Sequence, residues 1–556
     1  MAKERLKHII IFLYVSFFLI FINLIRIQII SHSYWNHLAN RQSHLLSRES
    51  GIRGEIKTSD GLVLAYNLSC YNIEINSTLV KDSKSFIKFL SNHLKFDKKK
   101  ISNLLEAKKY FELNLQIDEN KKDEIEKNED FKKFSRALYF RVVSKRLYNS
   151  EDYKHLVGFV HDNKGAHGIE KTYEDYLAGS SRILKRQVSA TEFYEVDVDL
   201  SKPVIDGSNI VLTIDSILQH ILSEELQKGL IKNQALSATG IILNPKNGKI
   251  LALSSLPFLS NKYLRNRAIA DIYEPGSVIK PLIVGIALET KSIDKNYTCY
   301  TNGSTILYGN IIRDEPGCKR GNLTLEEAIG YSTNVGMVSI VQQIDSHMLY
   351  ESLKNFGFGS KTNISLYGES KGIFSDLKKW NAVTKSYMSF GYNIACTPLQ
   401  VVMAFASLVN GGYLYKPQIV ERIESKDGKN KILEKELVRK VISKETSDFI
   451  KKTLTASYEK GTASVYAKVK GYSIGCKTGT TKKIKEGSYS KTYVATFTAV
   501  YPAEDPEYLI FIKVDEPGGK NIYGSNVAAP IFRKVFKKLA KYKNILPSYE
   551  KPIELN

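Results

Sequence analysis

The chain has 556 residues, and 43% of them are hydrophobic, so it can bury two or three substantial cores and is not expected to be disordered. Its 80 basic and 58 acidic residues give a net charge of +22, which suits an anionic partner such as a wall polymer or phospholipid headgroups. Nucleic-acid binding is disfavoured, because the lysines are scattered and form no stripe with aromatic residues. Five cysteines without CxxC spacing exclude a disulfide scaffold and disfavour zinc or redox chemistry.

An apolar segment lies near the N-terminus. Lys3, Arg5 and Lys7 precede IIIFLYVSFFLIFINLI at residues 9–25, which is close to the shortest length that spans a bilayer. No small-residue cleavage site follows, so an uncleaved membrane anchor is favoured over a signal peptide, and a buried soluble helix is the remaining alternative. The basic leader predicts a cytoplasmic N-terminus, with the chain after about residue 30 outside the cytoplasm.

The next part of the chain is of mixed composition. Strand-like runs such as GLVLAYNLSCYNIEIN alternate with a lysine- and glutamate-rich stretch at 97–134. In that stretch ISNLLEAKKYFELNL carries apolar residues at helical spacing, which predicts surface helices without chemistry. The composition changes near VIDGSNIVLTIDSILQ, where a strand runs into an amphipathic helix that begins at Asp215. We therefore predict an anchor, a first domain, a main domain and a tail at 1–30, 31–205, 206–545 and 546–556.

Two hairpins bracket the main domain. ATGIILNPKNGKILALSS has apolar and β-branched residues on both sides of a turn-forming segment, and KTYVATFTAVYP and EYLIFIKVDEP flank the turn AEDP. Mainly helical segments lie between the hairpins, such as TPLQVVMAFASLVNGG, which ends on a glycine pair. This order predicts an antiparallel sheet covered by helices. Cys299 and Cys318 either close one local loop as a disulfide or remain thiols.

The stretch YEPGSVIKP, residues 273–281, carries a candidate nucleophile. If a helix opens here, Ser277 and Lys280 share one helix face, and the helix N-terminus favours the negative charge of an alkoxide or oxyanion. Pro281 leaves the helix boundary open, because a proline beyond the first turn removes a hydrogen bond. The spacing alone is weak, since Ser-x-x-Lys recurs in this chain, and a structural N-cap at Ser277 is the alternative.

Two further segments favour catalysis. YSTNVG, residues 331–336, contains Ser332 and Asn334, whose side chains can face one cleft if they lie in a loop or short turn. CKTGT, residues 476–480, precedes the second hairpin and is therefore predicted at a sheet edge beside that cleft. Gly479 lets another backbone approach closely, as pairing of a substrate along a strand requires.

These motifs resemble those of the penicillin-binding proteins and serine β-lactamases, which are S-x-x-K, S-x-N and K-T-G in this order. Here they are SVIK from Ser277, STN from Ser332 and KTG from Lys477. RGEIKTSDGLVLA, GAHGIEKTYEDYLAG and LTIDSILQ are similar to class B penicillin-binding proteins, so the resemblance covers most of the chain. NRAIADIYEPGSVIKP, IGYSTNVGM and YGSNVAAPIF are most similar to the cell-division, or FtsI, type.

The resemblance implies an acyl-transfer mechanism that agrees with the chemistry of these residues. Lys280 takes the proton of Ser277, and burial together with the second cation Lys477 lowers the pKa of Lys280 for that task. Ser277 attacks the carbonyl between the last two D-alanines of a stem peptide. Ser332 relays a proton towards the leaving amine. The resemblance implies an oxyanion hole formed by the backbone N–H groups of Ser277 and Thr480.

The remaining site residues are implied to bind substrate. Asn334 would hold the substrate amide, and Lys477, Thr478 and Thr480 would receive its terminal carboxylate beside Gly479. An amine from a neighbouring stem peptide then resolves the ester, and β-lactams acylate the same serine. Serine acyl transfer uses side chains and backbone dipoles, so the resemblance implies neither a cofactor nor a metal.

The resemblance also implies an organisation and partners. The expected fold class is α/β (α+β), with a penicillin-binding or β-lactamase-like transpeptidase domain after a single transmembrane helix and an elongated pedestal. The expected place is the cytoplasmic membrane at the division site, with the catalytic domain outside. Expected partners are peptidoglycan stem peptides ending in D-Ala-D-Ala, β-lactams, an FtsW-like membrane glycosyltransferase and other divisome proteins. The alternatives are an elongation-type class B enzyme, a D,D-carboxypeptidase or β-lactamase, and a silent scaffold.

Overall fold

The computed structural model describes residues 2–35, 44–107, 110–188, 193–198, 203–257, 265–315, 318–461, 464–519 and 521–547. The chain divides into two compact units. The first unit comprises Met1–Arg53, Asn67–Lys145 and Ala178–Gly207, and the second comprises Gly54–Tyr66, Arg146–Leu177 and Ser208–Asn556. Of the predicted tail, residues 548–556 lie outside the described residues.

The first unit begins with the predicted apolar helix. An α-helix at Ala2–Ile25 continues as a π-turn at Arg26–Ile30. The span Glu4–Ile30 is long and apolar enough to cross a membrane, so the expected N-terminal apolar helix is confirmed, and it fits a single-pass membrane protein. Asp82 caps a second helix by accepting a hydrogen bond from the Ser85 N–H. The unit's helices are Ala2–Ile25, Ser83–Leu94, Lys98–Ala107, Glu119–Glu126 and Phe131–Phe134.

One prediction in this unit is wrong. Tyr110–Ile117, which lies in the stretch expected to be helical, is a β-strand that pairs antiparallel with the end of the strand Val63–Asn76. Phe111 and Leu113 alternate with more exposed residues and are buried in the core. Alternation with a period of two is the strand pattern, and it outweighs the helical spacing seen in the longer window. The unit's other strands are His44–Ser50, Leu138–Tyr148, Ser181–Val188 and Phe193–Val198.

The second unit is built on a five-stranded antiparallel sheet. Its strands, in spatial order, are Ile250–Leu256, Ser237–Leu243, Tyr508–Asp515, Ser488–Tyr501 and Gly475–Lys485. Both predicted hairpins are therefore confirmed, and the KTG segment lies on an edge strand as expected. In the middle strands both faces are buried, so nearly every residue is apolar or small.

Helices cover both faces of this sheet. On one face the helix Ser216–Lys232, which was predicted to begin at Asp215, is capped by the Asp215 side chain and packs with the C-terminal helix Ala529–Tyr542. A Cβ atom at Gly229 would lie 2.3 Å from Ile531 Cδ1, so glycine lets these two helices approach closely. On the other face the helices Lys280–Glu289 and Pro398–Val409 contribute to the larger core. The predicted fold class, an antiparallel sheet covered by helices, is confirmed.

The remaining elements of the second unit surround this centre. Its other helices of five residues or more are Gly168–Thr172, Leu325–Gly330, Asn334–Gln342, Ser346–Asn355, Thr384–Met388 and Lys444–Lys460. Its other strands of four residues or more are Asn209–Leu212, Thr298–Thr301, Ser304–Leu307, Asn310–Arg313, Gly321–Thr324, Val420–Glu424 and Leu437–Lys440. All five cysteines are free thiols, so Cys299 and Cys318 form no disulfide.

Candidate active site

The candidate nucleophile lies on a short turn that leads into a buried helix. A 3₁₀ turn at Gly276–Ile279, here called the serine turn, runs directly into the α-helix Lys280–Glu289. Pro281 stands in the first turn of that helix, where its missing N–H costs no hydrogen bond. Ser277 is half-buried, and its hydroxyl makes no hydrogen bond to any of the described residues. The serine turn therefore presents a hydroxyl that is not used as a helix cap.

Lys280 is fully buried and is held by the STN segment. Its Nζ lies 2.6 Å from the Ser332 carbonyl oxygen, 2.8 Å from Asn334 Oδ1 and 3.1 Å from Ser332 Oγ. A neutral amine has two N–H donors, and the two amide oxygens accept both, which leaves its lone pair for a hydroxyl. Burial first, and then the neighbouring Lys477, hold the pKa of Lys280 well below its usual range.

The STN segment is fixed by its own backbone and by a helix cap. Ser332 has a left-handed backbone with φ of 59°, which turns its carbonyl and hydroxyl towards the same lysine. The Thr333 side chain caps the helix Asn334–Gln342 by accepting a hydrogen bond from the Gly336 N–H at 2.9 Å. Asn334 Nδ2 donates to the Arg313 carbonyl oxygen at 2.8 Å, so Oδ1 is the atom that faces Lys280.

Lys477 reaches the same hydroxyl from the sheet edge. Its side chain is fully buried, and its Nζ donates to Ser332 Oγ at 2.9 Å and to the Thr478 carbonyl oxygen at 3.2 Å. Burial lowers the pKa of Lys477 from 10.5 to about 8. Ser332 Oγ thus lies within hydrogen-bond distance of two buried amines, one from each of the other motifs. A hydroxyl both donates and accepts, so it can pass a proton between them.

The KTG strand packs against the serine turn. A Cβ atom at Gly479 would lie 2.8 Å from Val278 Cγ2 and 3.1 Å from the Pro275 carbonyl oxygen. The space next to Gly479 is therefore filled by the protein itself, which is a different reason for glycine from the substrate approach expected from the sequence. Thr480 Oγ1 accepts a hydrogen bond from the Gly524 N–H at 2.9 Å, which leaves its own proton available to a ligand.

Two positions that sequence reasoning did not select as site residues, Thr481 and Gly391, hold the serine turn in place. Thr481 Oγ1 donates to the Glu274 carbonyl oxygen at 3.0 Å, directly before the turn. The Gly391 carbonyl oxygen accepts from the Gly276 N–H at 3.1 Å, and a Cβ atom at Gly391 would lie within 2.5 Å of the Gly276 backbone. The segment MSFGYN around Gly391 was the available signal, because glycine is the residue that permits a close approach between two backbones.

The site contains no obvious metal ligands. Within the described ranges no three His, Cys, Asp or Glu side chains are grouped so that they could hold a metal ion. Cys476 lies beside Lys477, but it is buried, and burial raises the pKa of its thiol to about 12. A thiol with so high a pKa is a poor nucleophile at neutral pH. The polar side-chain groups that the structure brings together in this site are a hydroxyl, two amines and an amide.

The comparisons with known proteins agree with this fold and these motifs. Residues 238–537 match the penicillin binding protein transpeptidase domain, and residues 48–212 match the penicillin-binding protein dimerisation domain. Among solved structures, a peptidoglycan synthetase from Bifidobacterium adolescentis has a TM-score of 0.74 at 21% identity, covering 91% of this chain and 98% of that one. Penicillin binding protein 2X from Streptococcus thermophilus also has a TM-score of 0.74, at 23% identity, covering 91% of this chain and 81% of that one.

Curated relatives are similar over most of the chain. Stage V sporulation protein D of Bacillus subtilis is 32% identical over 502 residues, which are 87% of this chain and 77% of that protein. Peptidoglycan D,D-transpeptidase FtsI of Escherichia coli K12 is 29% identical over 426 residues, 74% of this chain and 69% of that protein. FtsI of Buchnera aphidicola subsp. Baizongia pistaciae is 29% identical over 568 residues, 98% and 96% of the two chains.

The chain belongs to the penicillin-binding protein transpeptidase family, in the class B arrangement with a dimerisation domain. Its resemblance to the FtsI type, predicted from the motifs, is confirmed.

Proposed function

We propose that this chain is a septal peptidoglycan D,D-transpeptidase that cross-links stem peptides through a serine acyl-enzyme during cell division. It releases the terminal D-alanine and binds β-lactams covalently at the same serine. One observation carries the proposal: Ser332 Oγ lies 3.1 Å from Lys280 Nζ and 2.9 Å from Lys477 Nζ, so the three motifs meet at one hydroxyl. The FtsI relatives, which are named peptidoglycan D,D-transpeptidases, support the same activity.

In the acylation step, neutral Lys280 takes the proton of Ser277. The Ser277 oxygen then bonds to the carbonyl carbon between the two D-alanines, and the backbone N–H groups of Ser277 and Thr480 stabilise the oxyanion. Such donors contribute about 3 kcal/mol each to lowering a barrier of this kind. When the C–N bond breaks, its electron pair stays on the leaving amine. Ser332 passes a proton to that amine and recovers one from Lys280 or Lys477.

Substrate binding uses the remaining polar groups. The terminal carboxylate lies against Lys477, Thr478 and Thr480, with Gly479 keeping the edge strand close to the serine turn. The free hydroxyl proton of Thr480 suits a carboxylate oxygen, because Thr480 Oγ1 already accepts from Gly524. Asn334 has one N–H committed to Arg313 and a second N–H for a substrate carbonyl. Edge strands pair readily with an extended peptide, which supports binding of the donor stem along Gly475–Lys485.

An assay of both products tests this proposal. Purified protein would be incubated with a donor stem peptide ending in D-Ala-D-Ala and with an excess of acceptor peptide carrying a free amine. We expect release of one D-alanine for each cross-linked dimer found by mass spectrometry, and neither product with Ser277→Ala. Hydrolysed donor without dimer would contradict the transpeptidase and support a carboxypeptidase. D-alanine release by Ser277→Ala would contradict the nucleophile.

We also propose a role for each domain, partner proteins and a location at the division site. We assign 1–30 to the membrane anchor, 31–205 to a noncatalytic pedestal, 206–545 to catalysis and 546–556 to a tail. A partner that polymerises glycan, an FtsW-like membrane glycosyltransferase, is proposed because cross-linking needs newly made strands, and other divisome proteins would hold the pair at the septum. A fluorescent fusion is expected at midcell. Signal along the side wall would contradict the septal assignment and favour an elongation-type enzyme.

A second assembly has a specific observation in its favour. The 32% identical relative is named a stage V sporulation protein, so the second candidate role for this chain is in the wall made during sporulation. Rescue of a division-defective strain by this chain distinguishes the division role from the sporulation role. Restored septa support the division role, and failure to rescue with a protein that still acylates would support the other wall.

A further inference from the structure

We propose that Asp314, at the foot of a surface hairpin, is a positioning residue that holds the STN segment against Lys280. The hairpin pairs Ser304–Leu307 with Asn310–Arg313, and Asp314 follows its second strand. The inference rests on the proposed function, in which Lys280 accepts the proton of Ser277. No motif contains Asp314, and its contacts alone bring it to the site.

The Asp314 carboxylate accepts hydrogen bonds from the STN segment, from the residue that follows it and from a neighbouring strand. Its Oδ1 accepts from the Asn334 N–H at 2.5 Å, from the Val335 N–H at 3.0 Å and from Thr333 Oγ1 at 2.9 Å. Its Oδ2 accepts from Thr333 Oγ1 at 3.0 Å and from Thr301 Oγ1 at 2.6 Å. The carboxylate therefore satisfies the first N–H groups of the helix Asn334–Gln342 and interacts favourably with the helix dipole.

These contacts do more than cap a helix. The residue before Asp314, Arg313, accepts from Asn334 Nδ2, so two consecutive residues fix both the backbone and the side chain of Asn334. Asn334 Oδ1 is thereby aimed at Lys280 Nζ, 2.8 Å away. Thr301 comes from another strand and anchors the carboxylate from behind. Loss of these contacts would release the acceptors that orient the Lys280 amine.

The negative charge of Asp314 also raises the pKa of Lys280, an effect on the site that a purely structural helix cap would not have. The charged and titratable groups that face Lys280 are Lys477, which lowers its pKa, and Asp314, Cys318 and Glu315, which raise it. Asp314 is the strongest of the three that raise it. Replacing its carboxylate by a neutral amide keeps a hydrogen-bond acceptor but removes the negative charge. The pKa of Lys280 then falls further, so Lys280 becomes neutral at a lower pH.

Asp345 offers a matched control. Its side chain caps the helix Ser346–Asn355 by accepting from the His347 N–H at 2.9 Å and the Met348 N–H at 3.1 Å. It is thus an aspartate with the same capping role, but it does not contact the STN segment. The Asp345→Asn substitution reports what loss of a capping charge does to the protein in general.

The test is the rate of acylation of the full-length protein, in detergent, by a fluorescent penicillin between pH 5 and 9, with the thermal midpoint of each variant measured alongside. We expect Asp314→Ala to acylate about 10²-fold more slowly, the loss typical of a misplaced catalytic group. Asp314→Asn should move the acid limb of the pH profile to lower pH. Asp345→Asn should match the wild type in its acylation rate and in its pH profile.

Two results would overturn the inference. One is an Asp314→Asn profile that superimposes on the wild-type profile, which does not depend on whether Asp314→Ala folds. The other is a folded Asp314→Ala that acylates within threefold of the wild type. A wild-type protein that penicillin leaves unlabelled would instead overturn the proposed function, and the inference with it.

Discussion

Replacing Lys477 by methionine is expected to stabilise the protein while abolishing its activity. Lys477 is fully buried, and burial lowers its pKa from 10.5 to about 8. Since one pKa unit corresponds to about 1.4 kcal/mol, carrying this charge costs the folded state about 3 kcal/mol. Methionine has nearly the same shape and no charge, so it removes that cost. Ser332 Oγ, the proposed proton relay, would lose one of its two amine partners.

The stability gained by Lys477→Met should decrease as the pH rises. The pKa of Lys477 is lower in the folded protein than in the unfolded chain, so between about pH 8 and 10.5 the unfolded chain binds more protons and wild-type stability rises with pH. Below about pH 8 the full cost of the buried charge is present. The advantage of Lys477→Met should therefore be about 3 kcal/mol at pH 7 and disappear above about pH 10.5.

Thermal unfolding of detergent-solubilised protein measures this difference, as a rise of a few degrees in the midpoint at pH 7. Lys482→Met is the matched control, because Lys482 is an exposed lysine on the same strand and should change stability by about 0.5 kcal/mol at most. A Lys477→Met protein that is less stable than the wild type at pH 7, or a gain that does not shrink with rising pH, would refute the reasoning.

Two further substitutions test the site and the turn. Ser332→Ala removes the hydroxyl between the two amines and should slow penicillin acylation by ~10²- to 10⁴-fold, the usual contribution of proton transfer. Ser339→Ala, on the following helix, is the control and should leave the acylation rate unchanged. Equal acylation rates for the two variants would contradict the proton relay. Gly276→Ala should lower both the thermal midpoint and the acylation rate, because Gly276 has a φ of 59° and a Cβ atom there would lie 2.4 Å from Thr481 Cγ2. Gly309 also has a positive φ but has open space around it, so Gly309→Ala is the control. An equal loss of thermal midpoint and acylation rate in Gly309→Ala would contradict the steric explanation.

Much of the fold could be predicted from local pattern. Both hairpins, the start of a helix at Asp215 and the position of the KTG segment on a sheet edge follow from turn residues and local periodicity, which act over a few residues. The strand Tyr110–Ile117 was missed because its alternation lies inside a longer stretch with helical spacing, and only packing of Phe111 into the core decides between them. The serine turn is a 3₁₀ turn packed against the KTG strand, and the sequence had left the helix boundary there open.

The candidate site residues were selected where a motif names them. Lys280, Ser332, Asn334 and Lys477 belong to such motifs, and the structure places Lys280 Nζ within hydrogen-bond distance of Ser332 Oγ and Asn334 Oδ1, and Lys477 Nζ within that distance of Ser332 Oγ. Asp314 has no local signature, because its role depends on a hairpin that folds back onto a helix distant in sequence. Tertiary contacts of this kind leave no periodic or spacing signal in the chain.

The central claim is that Ser277 is the acylated nucleophile. The most direct measurement is the mass of peptides from the full-length protein after reaction with a fluorescent penicillin, with Ser277→Ala treated in parallel. The account predicts one adduct, on the peptide that contains Ser277, and no labelling of the variant. A folded wild-type protein without an adduct, or an adduct that persists in Ser277→Ala, would contradict it.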